Sequence, residues 1–194
     1  MTDQTRVAAS LRETARVVDA MAADPALCAA AAEAAGLVAS SLRQGGRLLL
    51  CGNGGSAADA QHWAGELVGR FLRDRPGLAA IALTADGAIL TALGNDYGYA
   101  RVFARQIEAL GRPGDVLFAL STSGRSANIL AALEAARAGG LATVGFTGAE
   151  GGAMAPLCDL LLCVPSRATP RIQEGHEALG HIICGLIEDA LSPP

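Results

Sequence analysis

The chain's three histidines fall in two stretches of helical pattern, and what surrounds them is the first hint of chemistry. In AQHWAGELVGR, His62 and Glu66 stand four residues apart, so both project from one face of a helix. In RIQEGHEALGHIICGLIED, Gln173, Glu177 and His181 share a face, while His176 points elsewhere and reads as a structural or interface residue. If the two helices meet, two imidazoles, a carboxylate and an amide converge into a set able to hold a divalent metal such as zinc or to move protons. A His/Glu pair at this spacing is more often an exposed ion pair. Its position just beyond a glycine-rich loop favours chemistry instead. Gln173 and His181 lie eight residues apart, or ~12 Å of continuous helix, so both reach one ion only by leaning toward each other.

Two loops supply the second hint. Residues 47–51 (RLLLC) run into GNGGSAAD, and residues 116–120 (VLFAL) run into STSGRSAN, each followed by an Ala-rich helical pattern. A strand that stops at a small, hydroxyl-rich turn and restarts as a helix turns backbone N–H groups and a positive dipole end toward an anion. Two such cradles suggest a phosphorylated small molecule. In the second loop Ser121, Thr122, Ser123 and Ser126 surround Gly124, with Asn128 just inside the helix. These groups match the terminal oxygens of a phosphate monoester without a lysine or a metal. A single Ser would suffice to cap the helix, so four hydroxyls favour an anion site over a capping cluster. The first loop also satisfies G-x-G-x-x-A through Gly52, Gly54 and Ala57, with Asp86 placed as a ribose ligand of a dinucleotide would be. That reading leaves the second loop unexplained and lacks a separate substrate domain.

The elements that must position these residues follow from hydrophobic pattern. Helices are expected at 4–22 and 26–44, separated by Asp24-Pro25, an N-cap followed by Pro in the first turn. Strands at 47–51, 79–84, 115–120, 141–146 and 159–164 then alternate with helices at 57–70, 86–93, 98–110, 127–138 and 169–191. The strands are continuously apolar, as when helices cover both faces of a sheet, so the class is α/β with a five-stranded parallel sheet. Ligands of such sheets sit beyond the carboxyl ends of the strands where strand order reverses, and both loops lie at such ends. The 194 residues are expected to form one domain, with N-terminal helices over 4–44 and an α/β core over 47–191. The closing Ser-Pro-Pro reads as a frayed tail.

A net charge of −4 without a basic stripe argues against nucleic acid as a partner, and RFLRDR at 70–75 reads as a solvated or subunit-facing loop. The five cysteines contain no C-x-x-C and fall mostly in apolar segments, which points to a reducing compartment. The first residues carry no signal-peptide pattern and no run approaches the length of a membrane span, so a cytoplasmic protein without membrane contact is expected.

Taken in order from about residue 5 to 190, CGNGGSAADAQHWAGELVGRF, LTALGNDYGYARVFARQIEALG, STSGRSANIL and RIQEGHEALGHIICGLIE resemble the bacterial phosphoheptose isomerases of the sugar isomerase (SIS) domain family. The resemblance implies a flavodoxin-like three-layer α/β/α sandwich, assembled as a homotetramer whose active sites draw on more than one subunit. It implies a phosphate loop at Ser121, Thr122, Ser123 and Ser126, and sugar contacts at Asn53, Gly54, Gly55, Ser56, Glu66, Asn95, Asp96 and Gln173. One zinc per subunit would fall on His62, Glu66, Gln173 and His181, the catalytic pair on Glu66 and His181, and an orienting role on Asp59. The implied activity converts sedoheptulose 7-phosphate to D-glycero-D-manno-heptose 7-phosphate through an enediol, for heptose in surface glycans such as lipopolysaccharide. Arg167-Ala168-Thr169-Pro170 departs from the acidic residue many members carry nearby, which bears on an accessory contact to the sugar and leaves the Glu66/His181 pair intact. Alternatives are a non-catalytic SIS adaptor for the replication initiator, expected to lose the Glu66 or His181 equivalent, and an isomerase of a shorter sugar phosphate.

Overall fold

Asp24-Pro25 is where the chain makes its first turn. The Asp24 carboxylate accepts from the backbone N–H groups of Ala26 at 2.9 Å and Leu27 at 3.2 Å. Pro25 takes a first-turn position where its missing N–H costs nothing. Helix α1 (Asp3–Ala22) thus gives way to α2 (Pro25–Arg43). The computed structural model describes residues 2–192, so Pro193-Pro194 of the expected tail lies outside the described residues.

The elements that follow are β1 (Leu48–Cys51), α3 (Gly55–Val68), β2 (Ala80–Ala82), α4 (Gly87–Tyr97), α5 (Ala104–Leu110), β3 (Val116–Leu120), α6 (Ala127–Ala138), β4 (Ala142–Gly148), β5 (Leu160–Val164) and α7 (Thr169–Leu191). All strand pairs are parallel, in the order β2-β1-β3-β4-β5. That is the flavodoxin-like order, with its reversal between β1 and β3. Alternate residues of each strand face opposite layers. Leu48, Leu50, Val116, Phe118 and Leu120 pack with α2, α3 and α7, whereas Leu49, Cys51, Leu117 and Ala119 pack with α5 and α6.

Several expectations shift. The helix expected at 86–93 runs on to Tyr97 and stops at Gly98, whose φ of 77° favours glycine. The segment expected as one helix over 98–110 opens with a 3-10 turn at Tyr99–Arg101, and α5 starts only at Ala104. The strand expected at 79–84 has three residues of regular pairing, although Leu83 still donates to the Leu50 carbonyl at 2.9 Å.

RFLRDR, expected as a solvated or subunit-facing loop, exposes Arg70, Leu72 and Asp74 but is anchored through its last residue. The Arg75 side chain is 1% exposed and pairs with Glu188 at 3.0 Å. Glu188 also accepts from the backbone N–H groups of Phe71, Leu72 and Arg73, so the loop is pinned to α7. Helix α2 is long and apolar enough to cross a membrane, contrary to the expectation that no run approaches that length. It buries Leu27, Ala31, Ala34, Ala35, Val38 and Ala39, the pattern of a core helix.

Candidate active site

Because β1 and β3 are neighbours, the loops leaving their carboxyl ends lie side by side. Their amides join them: Asn53 donates to the Asn128 side-chain oxygen at 2.9 Å and Asn128 donates back at 2.8 Å. Between the loops opens a cavity of about 280 Å³, lined by the 53–56 segment, Leu120, Ser121, Thr122, Ser126, Thr169 and Gln173. Helices α1, α2 and α4 begin on side-chain caps from Thr2, Asp24 and Asp86. By contrast α3, α6 and α7 begin at Gly54, Ser126 and Ala168 with no side-chain cap bond. All three starts contribute to the cavity, α3 through Gly55 and Ser56, α6 through its N-cap residue Ser126, and α7 through Thr169 and Gln173. Short α5 lacks a cap too, but its first turn does not line this space. Ser126 sits at the N-cap position of α6 but makes no side-chain cap bond, its hydroxyl meeting the Ser121 hydroxyl 3.1 Å away instead. Three helix starts without side-chain caps thus turn their free backbone N–H groups toward one polar hollow, an arrangement able to receive an anion.

Helices α3 and α7 run alongside each other in the same direction. Gly55 meets Gln173, His62 meets His181, Trp63 meets Gly180, and Phe71 meets Glu188. At position 180 only hydrogen fits, since a Cβ would overlap the Trp63 indole. This alignment brings His62 Nε2 and His181 Nε2 to 2.8 Å of each other. Glu66 Oε1 lies 3.6 Å from His62 Nε2, and Glu177 Oε1 lies 3.1 Å from His62 Nε2 and 3.3 Å from His181 Nε2. The other Glu177 oxygen accepts from the Trp63 indole N–H at 3.1 Å. Ligand atoms of His62, Glu66 and His181 all lie within 4.8 Å of one another, nitrogen and oxygen donors of the types zinc takes. Burial first, and the Glu177 charge second, push the Asp59 carboxyl up to about 6 against the opposing effect of His62.

Not every residue singled out from sequence faces the cavity. Ser123 is exposed, accepts from the Arg125 backbone N–H at 3.2 Å, and borders a neighbouring cavity of about 210 Å³. Arg167, from the segment that departs from the family pattern, also borders that second cavity and pairs with Glu150. Asn95 and Asp96 bond to each other on the exposed end of α4, while nearby Tyr99 donates to Asn53 at 3.1 Å. Gln173 lies against Gly55 at the loop, two turns of α7 before His181. His176 is fully buried, with Nε2 donating to the Thr147 carbonyl at 3.2 Å, so its role is structural. Glu177, beside both imidazoles, carries one signal in the sequence, its i,i+4 relation to His181 on the same face of α7.

The SIS domain family matches residues 12–148. A phosphoheptose isomerase of Burkholderia pseudomallei (strain K96243) is 59% identical over 187 residues, covering 96% of this chain and 95% of that one. One from Rhodospirillum rubrum is 61% identical over 165 residues, covering 84% and 88%. The structure of the phosphoheptose isomerase from Neisseria gonorrhoeae superposes with a TM-score of 0.91 at 45% identity, over 97% of this chain and all of that one. One from Francisella tularensis gives 0.93 at 39% identity, with the same coverage. Fold, paired loops and relatives agree: the chain belongs to the SIS-domain family and, within it, to the phosphoheptose isomerases.

Proposed function

We propose that the chain converts sedoheptulose 7-phosphate to D-glycero-D-manno-heptose 7-phosphate, supplying heptose for surface glycans such as lipopolysaccharide, as a cytoplasmic homotetramer with one zinc per subunit. The observation that carries the reading is the convergence of three helix N-termini without side-chain caps on one cavity, at the head of the helix pair that holds His62, Glu66 and His181. An aldose–ketose isomerase of a phosphate ester needs both parts: an anchor for the anion and a proton-transfer group some distance along the sugar. From Gly55 to His62 is seven residues, or ~10 Å along α3, a separation that favours a long open-chain ester over a short one.

In this reading Ser121, Thr122 and Ser126 hold the phosphate at the start of α6. Asn53, the Gly54–Ser56 backbone and Gln173 orient the sugar hydroxyls. Glu66 takes a proton from C1 and returns it to C2, so a cis-enediol forms between and the carbonyl moves from C2 to C1. His181 passes to O2 the proton that O1 gives up. Zinc held by His62, Glu66 and His181, with Gln173 added by the family pattern, would supply polarisation of the carbonyl. The retained Glu66 and His181 are the reason to prefer an enzyme over a silent adaptor.

The test is incubation of metal-assayed protein with sedoheptulose 7-phosphate, followed by NMR, with pentulose and hexulose phosphates in parallel. Aldose formed from the seven-carbon ester and not from the shorter ones is expected. Binding without turnover would replace the enzyme with an adaptor.

A further inference from the structure

We infer that His176 is a positioning residue for the phosphate loop: its Nε2–H, donated to the Thr147 carbonyl, fixes the end of β4 from which Ser121 and Thr122 are hung. The inference rests on the anchoring of the substrate phosphate by Ser121, Thr122 and Ser126 proposed above. His176 is fully buried and lines neither cavity at the loop, so any effect on the ligand passes through a neighbour. Two backbone bonds join the loop to β4, one on each side of Thr147. The Ser121 N–H donates to the Phe146 carbonyl at 2.9 Å, and the Gly148 N–H donates to the Thr122 carbonyl at 3.2 Å. Segments crowd together at Gly148, where a Cβ would come to 3.0 Å from the Thr122 carbonyl oxygen, 2.9 Å from that of Ser166 and 2.6 Å from the Ile172 side chain. A shift at Thr147 therefore carries Ser121 and Thr122 with it.

His176 holds Thr147 from α7. A carbonyl only accepts, so the Nε2 that stands 3.2 Å from it carries the ring proton. Burial keeps the ring neutral, which leaves Nδ1 as a lone pair, and this buried Nδ1 has no partner. The ring sets its edge toward Phe146, with ring centres 6.0 Å apart and planes at 79°, and Phe146 in turn packs on Trp63 and Phe118. Packing alone would be met by a leucine or a phenylalanine without the orphaned nitrogen. The bond to Thr147 is what the imidazole adds, against the cost of burying Nδ1 unpaired.

That bond also sets the spacing across the main cavity. One wall is the loop, with Ser121, Thr122 and Ser126; the other is the start of α7, with Thr169 and Gln173 on the helix that carries His176. Joining Thr147 to α7 ties the two walls together beneath the ligand. Loss of the bond loosens the anchor for the anion and leaves the proton-transfer groups in place, so the effect falls on binding rather than on turnover.

Two amides separate positioning from packing, because a glutamine nitrogen falls where Nε2 stands while an asparagine nitrogen reaches no farther than Nδ1. The parent, His176→Gln, His176→Asn and His176→Leu are compared in direct titration with inorganic phosphate, in hydrogen exchange of the Ser121 and Gly148 amides, and in steady-state kinetics with the heptulose ester, with calorimetry for Tm. His176→Asn and His176→Leu should raise the phosphate Kd and KM together by ~3–10-fold, keep kcat within about twofold, and speed exchange of both amides. His176→Gln should stay within about twofold of the parent in Kd, KM and exchange, whatever its Tm. A lower Tm with parent-like Kd and exchange in His176→Asn and His176→Leu overturns the inference, and so does a His176→Gln protein that behaves like His176→Asn. Where His176→Leu does not fold, the contrast between Asn and Gln decides. A parent that does not bind phosphate overturns the anchoring reading and the inference with it. A parent that binds phosphate but does not turn over the ester overturns the proposed activity, and phosphate Kd and amide exchange still decide the role of His176.

Discussion

Glu66 and His181 come from different helices, and His62 approaches both, at 3.6 Å and 2.8 Å. Their division of labour can be separated by substitution. Glu66→Gln is expected to keep the fold and phosphate binding and to lower kcat by ~10²–10⁴, the contribution of a positioned general base; parent-like turnover at matched metal content would remove Glu66 from the mechanism. The serines separate in another way. Ser126 lines the main cavity and shares its hydroxyl with Ser121, whereas Ser123 is exposed beside the second cavity. Ser126→Ala should therefore raise KM by roughly ten- to a hundredfold, the equivalent of about 1.5–3 kcal/mol for a bond to a charged group. Ser123→Ala should raise it far less. A larger KM effect at Ser123 in steady-state assays would move the phosphate to the neighbouring cavity. Sequence identified the cluster residues because helical spacing fixes which side chains share a face. It could not reveal that Ser123 turns away, since that depends on the backbone path at Gly124, whose φ is 63°.

The elements were legible to differing degrees. Continuous apolar runs between glycine-rich turns located all five strands, and Asp24-Pro25 located the first helix break. The region from residue 94 to 103 was not legible, because Gly98 and the 3-10 turn interrupt a hydrophobic pattern that itself continues. The side-by-side course of α3 and α7 was also hidden, since it is set by tertiary packing of Trp63 against Gly180. Two glycines on these helices should respond in opposite ways. In Gly180→Ala the new methyl overlaps a buried indole that has no room to swing, so a loss of about 1–3 kcal/mol and a lower Tm are expected. In Gly55→Ala the methyl meets the movable end of Gln173, so Tm should hardly change while KM rises. Calorimetry and steady-state kinetics on both variants check the pair; an unchanged Tm in Gly180→Ala would mean that α3 can slide away from α7.

For the molecule as a whole, two buried groups make the fold sensitive to acid. Burial pushes His176 down to about 4 despite its bond to the Thr147 carbonyl. The unfolded chain takes up this proton near pH 6.5, so between that pH and about 4 it binds more protons than the folded chain, and stability falls as pH falls. The loss across that window is roughly 3 kcal/mol. Burial raises the Glu188 carboxyl, but the N–H groups of Leu72, Phe71 and Arg73 and the Arg75 charge outweigh it and hold it below its ordinary value. Its contribution is present above the unfolded carboxylate range and is lost below it. Tm should decline from pH 7 to 5, and His176→Gln should flatten the decline; an equal slope in both proteins would place the acid sensitivity elsewhere.

Assembly is the other property at this scale. Val7 and Leu11 of α1 are exposed, and Ile182 and Leu186 of α7 are exposed in a groove of about 310 Å³ that also includes Phe71 and His181. Apolar surface of this extent on a single chain favours burial against further copies. The groove borders the proposed acid, so a subunit seated there would exclude water from His181 and bring its own side chains near the sugar. Light scattering at micromolar concentration should report about four times the 19.6 kDa chain mass. Leu186→Glu should lower the mass and the activity together while circular dichroism stays that of the parent. A fully active monomer would show that one chain completes the site alone.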